Sequence, residues 1–208
     1  MRRAPLLHVA AGAPITFAGL ALAGVLSAAA PASRGPSAES LELLDIDGRA
    51  VRPLARASAP AYVFLLVRTD CPISNRYAPE LRRLHARFAA SGVVFRFVYP
   101  EPTERVEDIS RHLQEFAYPS GALRDPGHRL VRLVGATVTP EAAVFVPAPE
   151  GPRLVYRGRI DDRYVDLGRA RAAATTHDLE RVLEAIVAGA SLPLRTTPAV
   201  GCLLTPAE

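Results

Sequence analysis

Seven consecutive apolar residues, Ala61-Tyr62-Val63-Phe64-Leu65-Leu66-Val67, run straight into Arg68-Thr69-Asp70-Cys71-Pro72-Ile73-Ser74-Asn75. Tyr77, Leu81, Leu84 and Phe88 then recur at helical spacing. The first run is apolar on both faces and strongly strand-forming, so it reads as a central strand. The recurrence that follows predicts an amphipathic helix over 76–90. Cys71 therefore stands where a buried strand gives way to a helix start, whose unpaired N–H groups favour a thiolate. That junction constrains the chain to an α/β arrangement and makes one of its two cysteines a candidate redox centre.

The rest of the chain repeats the strand-to-helix pattern and then changes. Gly92 ends the first helix, and Val93–Val98 predicts a second strand. Val106, Ile109, Leu113 and Phe116 line a second helical face, with Thr103 as its expected cap. A short strand is expected at 121–123 and a short helix at 127–134. Ala142–Val146 and Arg153–Ile160, separated by the turn-forming 147–152, predict a hairpin. In that hairpin Arg157 and Arg159 share parity and should face one side. A last helix spans about 178–188, with Asp178 in its first turn and Gly189 stopping it. Residues 41–190 thus form the expected domain, preceded by a polar linker at 33–40 and followed by a Pro- and Thr-rich tail at 191–208 carrying Cys202.

Residues 1–32 read as an export signal: Arg2 and Arg3, an Ala- and Leu-rich stretch, then small residues at 29–33 for cleavage. An uncleaved membrane anchor is the alternative, because the stretch approaches spanning length. Either way the chain is expected outside the cytoplasm, in a periplasmic or extracellular space. The net charge is +4, two charges of which come from Arg2 and Arg3. The basic residues are all arginine and are interspersed with acidic ones, without a basic aromatic stripe, so nucleic acid is not an expected partner. Export also permits Cys71 and Cys202 to pair, and the pair reads either as redox-active or as a structural tie of the tail.

Strand, cysteine at a helix start, crossover, hairpin and terminal helix together resemble the thioredoxin-like fold, a central mixed β-sheet flanked by helices. Thr139-Pro140, immediately before the strand Ala142–Val146, strengthens the likeness. In that family a proline at this place is commonly cis and faces the active cysteine, which implies that Thr139 and Pro140 help position a sulfur substrate. Thr69-Asp70-Cys71-Pro72, Val138-Thr139-Pro140 and Tyr156-Arg157-Gly158-Arg159-Ile160 are most similar to the redoxin branch that includes alkyl hydroperoxide reductases and thiol-specific antioxidant proteins. Two departures stand out. Ser74 replaces the second cysteine of Cys-x-x-Cys, so Cys71 needs Cys202, another protein or a small thiol to resolve a mixed disulfide. Arg68 stands where a peroxiredoxin has threonine, and the upstream proline is missing.

The resemblance implies thiol–disulfide exchange through Cys71, with reduction of hydrogen or alkyl peroxides as the alternative, and with no cofactor. The expected partner is a thiol or disulfide protein or a small thiol. Arg68 would favour the thiolate if turned inward, whereas Asp70 would oppose it. Thr69 and Ser74 offer hydroxyls that could meet sulfur or substrate, or simply cap the helix. Cys202, eased by Gly201, is the candidate resolving thiol on a mobile tail. Two different classes compete: a noncatalytic binding module, and a copper-handling protein using Cys71, Cys202 and His177. His177 beside Asp178 otherwise reads as a residue at a helix start, and His85 and His112 as surface or partly buried helical residues. Asp161-Asp162-Arg163-Tyr164 reads as a solvated, ion-paired turn, as a partner-binding cluster or as part of the cleft. Oligomeric state is open at this level.

Overall fold

A computed structural model describes residues 37–55, 58–119 and 121–205; the export signal expected at 1–32 lies outside them. A 3-10 turn, Ala38–Ser40, leads into β1 (Leu43–Asp45), which turns back as β2 (Ala50–Val51). Next come β3 (Tyr62–Leu66), α1 (Pro72–Ala89), β4 (Val94–Tyr99), α2 (Val106–Glu115), β5 (Ala122–Arg124) and α3 (Arg129–Val134). The second half comprises β6 (Val138–Thr139), β7 (Glu141–Val146), β8 (Arg153–Gly158), the small hairpin β9 (Tyr164–Asp166) and β10 (Arg169–Ala170), and α4 (Asp178–Val187). The tail supplies β11 (Arg195–Thr196) and β12 (Cys202–Leu203).

The main sheet runs β11-β8-β7-β3-β4-β5-β1-β2. β3, β4 and β5 are parallel through the two helical crossovers, whereas β7 and β8 return antiparallel. Strict alternation along β3 builds two cores. Val63 and Leu65 face the layer of α1, α2 and α4, meeting Leu81, Leu84, Ile109, Leu179 and Leu183. Phe64 and Leu66 face the opposite layer, meeting Leu43, Leu54, Leu130 and Phe145. Burial on both faces explains why the sequence of β3 lacks any polar interruption. The architecture is thioredoxin-like, as the order of elements led one to expect.

Several local expectations are corrected. Helix α1 begins at Pro72, four residues before the expected 76, because proline at the first helical position needs no N–H partner. Arg105, not Thr103, occupies the N-cap of α2; the Thr103 hydroxyl instead donates to Glu101 Oε1 at 3.2 Å. Arg157 and Arg159 do not serve one side. Arg157 bonds the Gly135 carbonyl after α3 and pairs with Glu141, whereas Arg159 reaches Asp178 at the start of α4, in the opposite layer. Gly158 lies between them at φ +146°, and this turn of the backbone breaks the parity. Asp161 and Asp162 are buried rather than solvated. Asp161 accepts from the Tyr77 hydroxyl at 2.5 Å, and Asp162 from the N–H groups of Thr175 and Thr176 at 2.7 and 2.8 Å.

Candidate active site at the strand–helix junction

Cys71 is the N-cap of α1, with extended backbone, and its Sγ accepts from the Ser74 N–H at 3.5 Å. One of the helix's orphan donors is thus aimed at sulfur. The residue is fully buried. On its other side Sγ lies 3.1 Å from the Thr139 carbonyl oxygen. Sulfur bonded to sulfur carries no proton, so this is a close contact; in the thiol form the same placement lets Cys71 donate. The Thr139–Pro140 peptide is cis.

Cys71 and Cys202 form a disulfide across 131 residues of sequence, with Cα atoms 6.0 Å apart. The tail that carries Cys202 is laid along the domain in two stages. Its first stage, β11, runs parallel to β8, pairing Arg195 with Tyr156 and Thr196 with Arg157. Thr197 closes this stage: its N–H donates to the Arg157 carbonyl at 3.0 Å, and its hydroxyl is 2.7 Å from the Tyr156 hydroxyl. A Cβ on Gly158 would overlap Thr197, so the glycine is what lets the tail lie so close. The second stage, β12, pairs antiparallel with β6, setting Cys202 opposite Thr139 and Leu203 opposite Val138. The Leu204 N–H donates to the Thr137 carbonyl at 3.1 Å. Arg68 Nη1 donates to the Leu203 carbonyl at 3.1 Å.

The loop that presents Cys71 is gripped by side chains from below. The Thr69 N–H donates to Glu104 Oε1 at 2.6 Å, and the Thr69 carbonyl accepts from Asn75 Nδ2 at 3.1 Å. Asn75 Oδ1 accepts from His112 Nε2 at 2.8 Å, and His112 Nδ1 lies 2.8 Å from the Tyr99 hydroxyl. In this arrangement the imidazole carries its proton on Nε2 and accepts from tyrosine on Nδ1. Burial lowers the His112 pKa to about 4, which keeps the ring neutral. His112 is therefore a core residue of the site's support rather than a surface histidine, at 4% exposure. Burial also raises the Glu104 carboxyl, against the opposing pull of the Thr69 N–H. Arg68 is mostly buried, paired with Asp70 at 2.9 Å and 3.6 Å from Glu101.

Of the residues singled out from sequence, Cys71, Cys202, Thr139 and Pro140 converge, and Ser74 joins them through its backbone N–H. The Ser74 and Thr139 hydroxyls are buried without a hydrogen-bond partner among the described residues. Thr69 enters through its backbone, as the handle by which Glu104 and Asn75 fix the loop. Sequence reading missed Glu104, Asn75 and Glu141. Glu141 is buried and accepts from the Thr137 N–H at 3.1 Å, which holds the loop before Pro140. Its signal was a charged residue opening an otherwise apolar strand. His177 does not join the cysteines. It precedes α4 and falls near Glu80 and Asp161, whose carboxylates are already engaged by Arg83 and by Tyr77.

No protein-family model and no curated protein matches this chain. Solved structures do. A hypothetical protein from Sinorhizobium meliloti 1021 superposes with a TM-score of 0.65 at 21% identity, over 79% of this chain and 89% of that one. An uncharacterized conserved protein from Geobacillus kaustophilus gives 0.65 at 24%, over 81% and 90%. MTB dsbF, whose structure holds mixed oxidized and reduced forms, gives 0.52 at 16%, over 72% and 98%. At these identities the likeness is one of fold, and it places the chain among proteins of thioredoxin-like architecture with a long-range cysteine pair of its own.

Proposed function

We propose that the protein is an exported thiol–disulfide oxidoreductase in which Cys71 is the nucleophile and Cys202 the resolving thiol. The observation that carries this reading is the pairing of a helix-capping cysteine with a tail cysteine on a separately held strand. A purely structural tie would not require the sulfur to sit at the N–H groups that stabilise a thiolate. In the reduced protein the tail moves aside and the Cys71 thiolate attacks a disulfide. One substrate sulfur bonds to Cys71, and the other leaves as thiolate with the electron pair. Cys202, deprotonated, then attacks the Cys71 sulfur of the mixed disulfide, releasing the second substrate thiol and leaving the Cys71–Cys202 bond. An external thiol restores the dithiol. It attacks at Cys202, the less buried of the two residues, and Cys71 departs as the better leaving group.

Mass mapping of the purified chain tests this after separate disulfide and low-peroxide challenges. Wild type should form the Cys71–Cys202 bond and Cys202→Ser should stop at a mixed disulfide on Cys71. Cys71→Ser should lose the reaction by at least ~100-fold, since no second nucleophile sits at the helix start. A faster response to peroxide, with Cys71 sulfenic acid in the Cys202→Ser chain, would assign instead the peroxide reduction typical of alkyl hydroperoxide reductases. Unreactive Cys71 under both challenges would leave a disulfide-tied binding module.

A further inference from the structure

The tail shows what a strand must look like to deliver a cysteine to Cys71. We infer that the protein's macromolecular substrates present their cysteine on an extended strand directly after a glycine, with an apolar residue before the glycine and another two positions after the cysteine, and that Val200-Gly201-Cys202-Leu203-Leu204 is the resident copy of that strand. This rests on Cys71 acting as the nucleophile.

Cys71 Sγ is confined between the Ser74 N–H and the Thr139 carbonyl. A partner's sulfur can therefore bond to it only from about where Cys202 now stands. The chain on either side of that sulfur meets the edge of β6, whose pairing sets the cysteine opposite Thr139. The residue before it then passes directly over the Thr139 carbonyl. A Cβ on Gly201 would overlap that carbonyl's oxygen and carbon, and would fall 3.2 Å from Pro140 N. All three are backbone atoms, so no side-chain rotation can make room. The Glu141 carboxylate, paired with Arg157, accepts from the Thr137 N–H and the Arg157 guanidinium donates to the Gly135 carbonyl, which anchors the segment leading into Thr139. Val200 packs against one core and Leu204 against the other, so both flanks of the cysteine have apolar seats. The Arg68 guanidinium reads the backbone carbonyl after the cysteine rather than a side chain, which leaves that position tolerant.

When a partner is bound, the tail must vacate the edge. Thr197 keeps β11 attached to β8, so only the segment from Pro198 onward needs to swing out. The step itself is ordinary exchange: the Cys71 thiolate bonds to the partner's cysteine sulfur, and the sulfur formerly joined to it departs as thiolate.

The test uses the full chain with Cys202→Ser and three capped peptides, Val-Gly-Cys-Leu-Leu and its counterparts with Ala or Val replacing Gly. Each peptide carries thionitrobenzoate on its cysteine, so attack by Cys71 releases a coloured thiolate. The Gly peptide should react at least ~10-fold faster than the Ala peptide, and the Val peptide should be slower still. In the otherwise unaltered chain, Gly201→Ala should shift the Cys71–Cys202 equilibrium with dithiothreitol toward the dithiol by about the same factor. Equal rates for the three peptides, or an unmoved equilibrium, would overturn the inference. Ellman's reagent, which has no strand to dock, separates the two readings. If it labels Cys71 while the peptides show no discrimination, the exchange chemistry stands and the glycine rule falls. If it fails as well, the nucleophilic role of Cys71 falls and the rule with it.

Discussion

Burial makes His112 a pH-sensitive member of the site's foundation. Its pKa falls from the ordinary 6.5 to about 4, so the folded protein binds fewer protons there than the unfolded chain between those values. Its contribution is complete above about pH 6.5 and is lost as pH falls toward about 4, by up to ~3 kcal/mol. The buried Glu104 and Glu141, whose carboxyls are raised by desolvation, titrate with the opposite sign in the acid range. Urea denaturation of wild type and His112→Gln at pH 7 and at pH 4.5 isolates the imidazole. The loss on acidification should be visibly smaller in the variant, and equal losses would show that His112 does not control it. Protonation would also break the acceptor role of Nδ1 toward Tyr99, and through Asn75 would loosen the grip on Thr69.

At the scale of elements, α1 and α4 are clamped along their shared side. Glu180 accepts from Arg83 Nη1 at 2.7 Å and from Arg87, while Arg87 reaches Glu184 and Arg83 chelates Glu80. The Arg83 hydrogen bond, helped by Arg87, holds the Glu180 carboxyl near pKa 2 although burial opposes it. Because the folded pKa is depressed, the stabilisation is present above the ordinary carboxylate range and disappears as pH falls from about 4.5 toward 2. Both arginines are nearly half exposed, which screens the pair. Glu180→Gln is therefore expected to cost ~1–2 kcal/mol at pH 7 in a denaturant titration, with little difference from wild type near pH 2. An unchanged midpoint at neutral pH would mean that apolar packing of Leu179, Val182 and Leu183 alone holds α4.

Across the whole molecule, one covalent bond, Cys71–Cys202, joins the tail to the start of α1. Reduction should lower global stability by ~2–4 kcal/mol, since the closed loop spans 131 residues. The change should be uneven. Hydrogen exchange on the reduced protein should deprotect the Leu204 amide, which depends on β12 lying on β6, while the Thr197 amide, bonded to Arg157, stays protected. Protection retained at both would show a tail that does not move. The apolar run of β3, the helical spacing of α1 and the hairpin of β7 and β8 were legible in sequence, because burial on two faces, 3.6-residue recurrence and alternation are local patterns imposed by backbone geometry. Cys71 at a helix start was legible for the same reason. The path of the tail was not. Its strands are two residues each and carry no periodicity; they exist because Gly158 and Gly201 leave space against Thr197 and Thr139, neighbours remote in sequence. The burial of Asp161, Asp162 and His112 was left open by the sequence, because a polar side chain is compatible with solvent and only tertiary packing supplies the buried partners that offset its desolvation. By itself the sequence determined the layers, the position of Cys71 at a helix start and the one other cysteine it could pair with, whereas the pairing itself and the edge on which Cys202 is presented were decided by contacts that exist only once the chain has closed on itself.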